Sequence, residues 1–151
     1  MTIAEPTNPI HPSREAGGEA PPKRAALNIV LWVLQVLLGL LFVWAGGMKL
    51  VMTLEQMAGP VPLPGWFLRF IGVVELLGGI GLILPGLLRI RPGLTPLAAA
   101  GLVIVMIGAV GITLAGGGKT AGMAVIPAVT GLLTAFIAYG RWRLVPLRSR
   151  R

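Results

Sequence analysis

Four long apolar stretches, Ala25 to Met52, Trp66 to Leu88, Gly93 to Ala115 and Ala121 to Gly140, take up most of the chain. Each exceeds the roughly 18 residues that carry a helix across a hydrocarbon core. Inside lipid the backbone has no water to bond, so such a stretch must satisfy its own N–H and C=O groups, which a helix does. None of the four has a polar face wide enough for a soluble amphipathic helix. The pattern therefore predicts an all-α integral membrane protein, with four transmembrane helices in an up-down-up-down antiparallel bundle joined by short connections. The helices are expected at about 26–52, 66–88, 93–115 and 121–140, within a transmembrane domain spanning 25–141. Composition agrees: mean hydropathy is +0.85 and charged residues make up only 12%, against roughly 25% in a soluble domain.

The first stretch follows Lys23 and Arg24, as a secretory h-region does. It is far longer than the 7–15 residues of an h-region and lacks a small-x-small cleavage site, so it reads as a retained helix. Residues 1–24, rich in Pro, Gly, Glu and Ala, have little to bury and are expected to form a disordered tail. Residues 142–151 form a basic tail expected to lie against anionic headgroups together with Arg141. Thr53 to Gly65 holds three prolines and is expected to form a stiff cap between the first two helices. Pro85 is expected to kink the second helix.

The net charge of +8 does not point to nucleic acid, because the basic residues gather at helix ends and not on a soluble face. Arg14, Lys23, Arg24, Arg89, Arg91, Arg141, Arg143, Arg148, Arg150 and Arg151 fall on one side of a four-pass chain; Lys49, Arg69 and Lys119 fall on the other. The positive-inside rule then places both termini in the cytoplasm, at a bacterial cytoplasmic membrane.

Cysteine is absent and the single histidine, His11, lies in the tail. Thiolate chemistry and histidine-bound haem or zinc inside the membrane are excluded. Met48, Met52 and Met57 have no His or Cys beside them and read as packing filler, not a copper site. The stretch AGGGKT, Ala115 to Thr120, lacks the spacing and the preceding strand of a phosphate-binding loop. Trp32, Trp44, Trp66, Tyr139 and Trp142 read as interface anchors.

One carboxylate stands inside an apolar run. In GVVELLGGIGL, Glu75 lies about 13 Å along the helix from Trp66, well below the interface. A charge near the bilayer centre costs about 2.5–3.5 kcal/mol on insertion scales, so it must be paired, solvated or protonated. Gly72, Glu75, Gly79 and Gly86 share a stripe, as do Gln35, Gly39, Phe42, Gly46 and Lys49 on the first helix. Small residues at these spacings let backbones approach, so Glu75 is expected to face the bundle. On the third helix Gly101, Gly108 and Ala115 lie seven apart, with Gly111 nearby, and suggest the same. Because Cα–Cβ bonds tilt toward a helix's own N-terminus, Lys49 leans into the membrane and Glu75 leans up to meet it. Arg69 is expected to snorkel to the surface.

Two readings of Lys49 and Glu75 stay open. One is an ion pair that sets the packing register of two helices. The other is a polar pocket, lined also by Gln35, Gly46, Gly72 and Gly79, that takes a small molecule such as a quinone head group or relays a proton. A small proton-coupled transporter is a further alternative, disfavoured because the third and fourth helices offer only Thr113, Thr130 and Thr134 as polar lining.

The elements LFVWAGGMKL and LPGWFLRFIGVVELLGGIGLILPG, with a Pro-rich loop between them, resemble the DoxX and DoxX-like family of four-helix membrane proteins. The Gly-x-x-Lys element falls on Gly46 and Lys49 and the Glu-Leu element on Glu75; the resemblance runs from Leu27 to Tyr139. It implies membrane subunits of quinone-linked oxidoreductases, such as an archaeal thiosulfate:quinone oxidoreductase, or members of oxidative-stress complexes, or assembly factors for other membrane proteins. The expected role is a small accessory or scaffold subunit with no covalently bound cofactor and no metal, not catalytic on its own. Its partners would be the lipid bilayer and other membrane or redox-complex subunits. Nothing in the pattern sets an oligomeric state.

Overall fold

A computed structural model describes residues 22–59, 61–88, 90–91, 93–118 and 121–146. The tail readings for residues 1–21 and 147–151, and Arg89 and Lys119 of the charge pattern, lie outside the described residues. The described chain is helical: α1 spans Pro22–Val51, α2 Gly65–Leu88, α3 Leu94–Ala115 and α4 Val125–Tyr139. A 3₁₀ turn, Ala121–Ala124, leads into α4, and a π-helical turn, Gly140–Leu144, follows it. Together these give four spans long and apolar enough to cross a membrane.

The element limits follow from local chemistry. Pro22 opens α1 several residues before the expected start, since a proline at the first helical position gives up an N–H that has no partner there. Pro96 and Pro127 sit in the first turns of α3 and α4 for the same reason. Pro85 is different, being inside α2, and its missing N–H deprives the Gly81 carbonyl of its helical donor. Thr53 and Gln56 bond reciprocally, the Thr53 N–H to Oε1 of Gln56 (3.1 Å) and the Gln56 N–H to Oγ1 of Thr53 (3.4 Å). That is capping-box chemistry at the start of the α1–α2 connection. Between α2 and α3 the chain turns through Arg91 at φ 45°, a left-handed conformation costly for a side chain. Gly117 at φ 91° turns it between α3 and α4.

α1 packs on α2, α2 on α3, α3 on α4, and α4 returns to α1. Leu31, Leu38 and Phe42 of α1, Leu82 of α2, Ala99, Leu102 and Met106 of α3 and Ile137 of α4 form the core. Large apolar side chains also cover the outside, with Ile104, Ile126 and Leu132 each more than 70% exposed. In water such a surface would aggregate; in a bilayer it is the face that meets acyl chains.

Glycines set the α1–α2 spacing. A Cβ on Gly46 would stand 2.5 Å from the Gly72 carbonyl and 2.6 Å from the Leu76 nitrogen; one on Gly79 would stand 2.6 Å from the Gly39 carbonyl. The third helix departs from expectation: beside Gly101, Gly108 and Gly111 there is nothing within 4 Å. Their spacing marks a face, but no described helix of this chain occupies it.

Candidate functional site

Two polar layers lie inside the bundle. The first is near the end where α1 meets the connection to α2. There Nζ of Lys49 donates to Oε2 of Glu75 at 2.7 Å. The carboxylate side chain is 5% exposed and the lysine 33%, so the pair is sunk at its acidic end and open at its basic end. Glu75 reaches this position because Gly72, on the same face, lets Lys49 pass closely: a Cβ there would meet Lys49 Cβ at 2.9 Å.

Arg69 belongs to the same layer and is half-buried. Its Nη1 donates to the Lys49 carbonyl (2.5 Å) and its Nη2 to the Met52 carbonyl (2.7 Å). The last carbonyls of a helix have no internal donor and carry the negative end of its dipole. A forked guanidinium satisfies two acceptors at once, so Arg69 holds the end of α1 against α2 and leaves Glu75 to Lys49.

The second layer lies where α1 begins and α4 ends. Nε2 of Gln35 donates to the Leu82 carbonyl, next to the Gly81 carbonyl that Pro85 leaves without its donor. Nε of Arg141 donates to Oε1 of Gln35 (2.9 Å) and its Nη1 to Oδ1 of Asn28 (2.8 Å). The guanidinium also stands 5.3 Å from the centroid of the Trp32 ring, within cation–π range. Arg141 is 2% exposed, so it is not part of a surface-bound basic tail and Trp32 is not merely an interface anchor. Arg141 falls four residues after Ile137 and seven after Thr134, both buried, so helical spacing carries it to the inward face while Trp142 and Arg143 stay exposed; the chain then closes in a π turn, the Val145 N–H bonding five residues back to the Gly140 carbonyl (2.8 Å).

These layers do not join. Along the α1 stripe between Gln35 and Lys49 the inward positions are Leu38, Gly39, Phe42 and Gly46, all buried, and they form no polar track. At Gly46, Gly72 and Gly79 the space beside the Cα is taken by the facing helix, not by a cavity. The hydroxyls of Thr113, Thr130 and Thr134 each donate back to the carbonyl four residues earlier in their own helix. Thr95 Oγ1 and Arg141 Nη2 are buried side-chain atoms without a hydrogen-bond partner among the described residues. No group of three His, Cys, Asp or Glu able to hold a metal occurs among the described residues.

The second layer was readable in part. Asn28 and Gln35 are the strongly polar side chains of α1 between Arg24 and Lys49 and lie seven residues apart, hence on one face, and a buried polar face needs a partner. Arg141, the first charge after the fourth apolar stretch, was available. Replacing it tests the layer: Arg141→Lys keeps the charge but has one compact head and cannot span Gln35 and Asn28 together. It is expected to lower stability to detergent unfolding by about 1–3 kcal/mol. An unchanged unfolding midpoint would show that the network contributes nothing.

Residues 33–137 match the model of the DoxX-like family, a span that includes Gln35, Lys49, Arg69 and Glu75 and ends before Arg141. No curated protein and no solved structure matches the chain. The family match covers well over half of the 151 residues, containing α2 and α3 and most of α1 and α4: the chain belongs to the DoxX-like family.

Proposed function

We propose that this membrane protein is a small accessory or scaffold subunit, working beside other membrane or redox-complex subunits and performing no turnover of its own. The observation that carries this reading is the closure of the interior. Lys49 and Glu75 pair with each other, Arg69 is spent on the end of α1, and Thr113, Thr130 and Thr134 bond their own helices. Transport at a midplane site needs polar lining from several helices around a shared space, and the described interior offers none between its two layers. In this reading the bundle runs up-down-up-down, with both termini in the cytoplasm of a bacterial cell, as the distribution of Lys and Arg favours.

A second reading, contact with a quinone, rests on the exposure of Lys49. One third of that side chain remains open, and an ammonium has three donors, of which Glu75 uses one. A quinone carbonyl can accept another without breaking the pair. The test uses full-length protein in proteoliposomes and measures both proton uptake and binding of a short-chain quinone. The scaffold reading expects no uptake driven by any tested solute, in wild type or Glu75→Gln. Solute-driven uptake that Glu75→Gln abolishes would replace it with a transporter. Quinone binding lost in Lys49→Met, in a protein that still folds, would support the second reading, and no binding by wild type would remove it.

A further inference from the structure

A groove of about 500 Å³ runs between α3 and α4 on the outside of the bundle. It does not involve Lys49, Glu75 or the Arg141 network, so its role is independent of the accessory function proposed for the protein. Its floor is built from small residues: Ala100 on α3 and Ala135 and Ala138 on α4. Alanine at all three positions leaves a trough between two helices whose other outward residues are mostly large. At one end the trough reaches Tyr139, Trp142 and Arg143. Tyr139 and Trp142 are 59% and 69% exposed. Aromatic rings of this kind settle at headgroup depth.

Arg143 is exposed and takes part in no hydrogen bond or ion pair among the described residues. Two residues apart on a helix, the arginines lie on different sides: Arg141 is turned inward onto Gln35 and Asn28, while Arg143 is left beside the groove. The only carboxylates among the described residues are Glu55 and Glu75, on the connection at the opposite end and in the Lys49 pair, so the described chain offers Arg143 no acid nearby.

We propose that this groove is a binding site for one anionic phospholipid, with an acyl chain along the alanine floor and the phosphate at Arg143 between the two aromatic rings. The shape fits an acyl chain, because the floor is made of three alanines and carries no polar side chain. The mouth fits a phosphate, because a guanidinium offers parallel N–H donors that match its oxygens. A zwitterionic lipid fills the same trough but gives the site no net charge to neutralise.

The test is native mass spectrometry of the full chain in mild detergent, with phosphatidylglycerol and phosphatidylcholine of matched acyl chains. Wild type is expected to retain one phosphatidylglycerol about fivefold more strongly than phosphatidylcholine, the factor given by roughly 1 kcal/mol per basic residue at an anionic surface. Arg143→Gln is expected to remove that preference. Arg24→Gln, which lowers net charge equally but lies on α1 away from the groove, is expected to keep it. Ala100→Leu and, separately, Ala135→Leu fill the trough from opposite walls and are expected to lower retention of both lipids. Equal retention of the two lipids by wild type overturns the site. So does an equal effect of Arg24→Gln and Arg143→Gln, which would mark diffuse attraction, and so does undiminished retention in both alanine variants.

Discussion

Lys49→Met is expected to be more damaging than Glu75→Gln, although the two remove opposite halves of the same ion pair. Glu75 is 5% exposed and fixed inside α2, so removal of Lys49 leaves a carboxylate with no cation in place; Arg69 is already committed to the Lys49 and Met52 carbonyls. Breaking a buried pair from one side costs about 3–5 kcal/mol. Lys49, by contrast, is 33% exposed and close to the end of α1, so without Glu75 its flexible stem can carry the ammonium outward to the interface. Glu75→Gln also keeps a carbonyl oxygen for Lys49 to bond, and its cost is expected nearer to about 1 kcal/mol. The double variant Lys49→Met/Glu75→Gln removes both charges at once and should recover much of the loss caused by Lys49→Met alone. Reversible unfolding in detergent, run as a double-mutant cycle, checks this. If the single losses simply add in the double variant, the two side chains are not coupled; if Glu75→Gln proves the worse of the two, the account of their burial is wrong.

Gly46→Ala is expected to cost about 1–3 kcal/mol, a large effect for one methyl group and the usual penalty of overpacking. The new Cβ would sit 2.5 Å from the Gly72 carbonyl and 2.6 Å from the Leu76 nitrogen. Both are backbone atoms that no rotamer change can move aside, so α1 and α2 must separate. Separation also stretches the polar layer, because Lys49 follows Gly46 by less than one helical turn. Gly108→Ala is the control. It introduces the same methyl into the same kind of helix, but with nothing within 4 Å, and should be neutral or slightly stabilising because alanine is the better helix former. Similar unfolding midpoints for the two variants would mean that the glycines do not set the helix spacing.

Length and apolarity placed the helices because a membrane leaves a long apolar chain little choice. Lys49 and Glu75 were legible together because a charge within such a run must be compensated, and the tilt of Cα–Cβ bonds gives the direction of reach. The partners of Arg69 were not legible because they are carbonyls, which every residue has and no sequence pattern marks. Arg141 was misread although helical spacing from Thr134 and Ile137 puts it on the inward face, because its partners lie on the first helix and its bonds cross 106 and 113 residues. The glycines of α3 show a further limit: spacing tells which residues share a face, not whether another helix will cover it.

The long span of the Arg141 bonds also bears on the order in which the bundle can be completed. The first two helices hold their own polar contacts, Lys49 with Glu75, Arg69 with the end of α1 and Gln35 with the Leu82 carbonyl, so they can dock as a hairpin once both have left the ribosome and entered the bilayer. Asn28 and the Gln35 side-chain carbonyl, among the earliest membrane-embedded polar groups to be made, must then wait for Arg141 at the far end of the chain. During synthesis domains form from the N-terminus onward, and here the final turn of the final helix is the latch that fastens the last helix back onto the first.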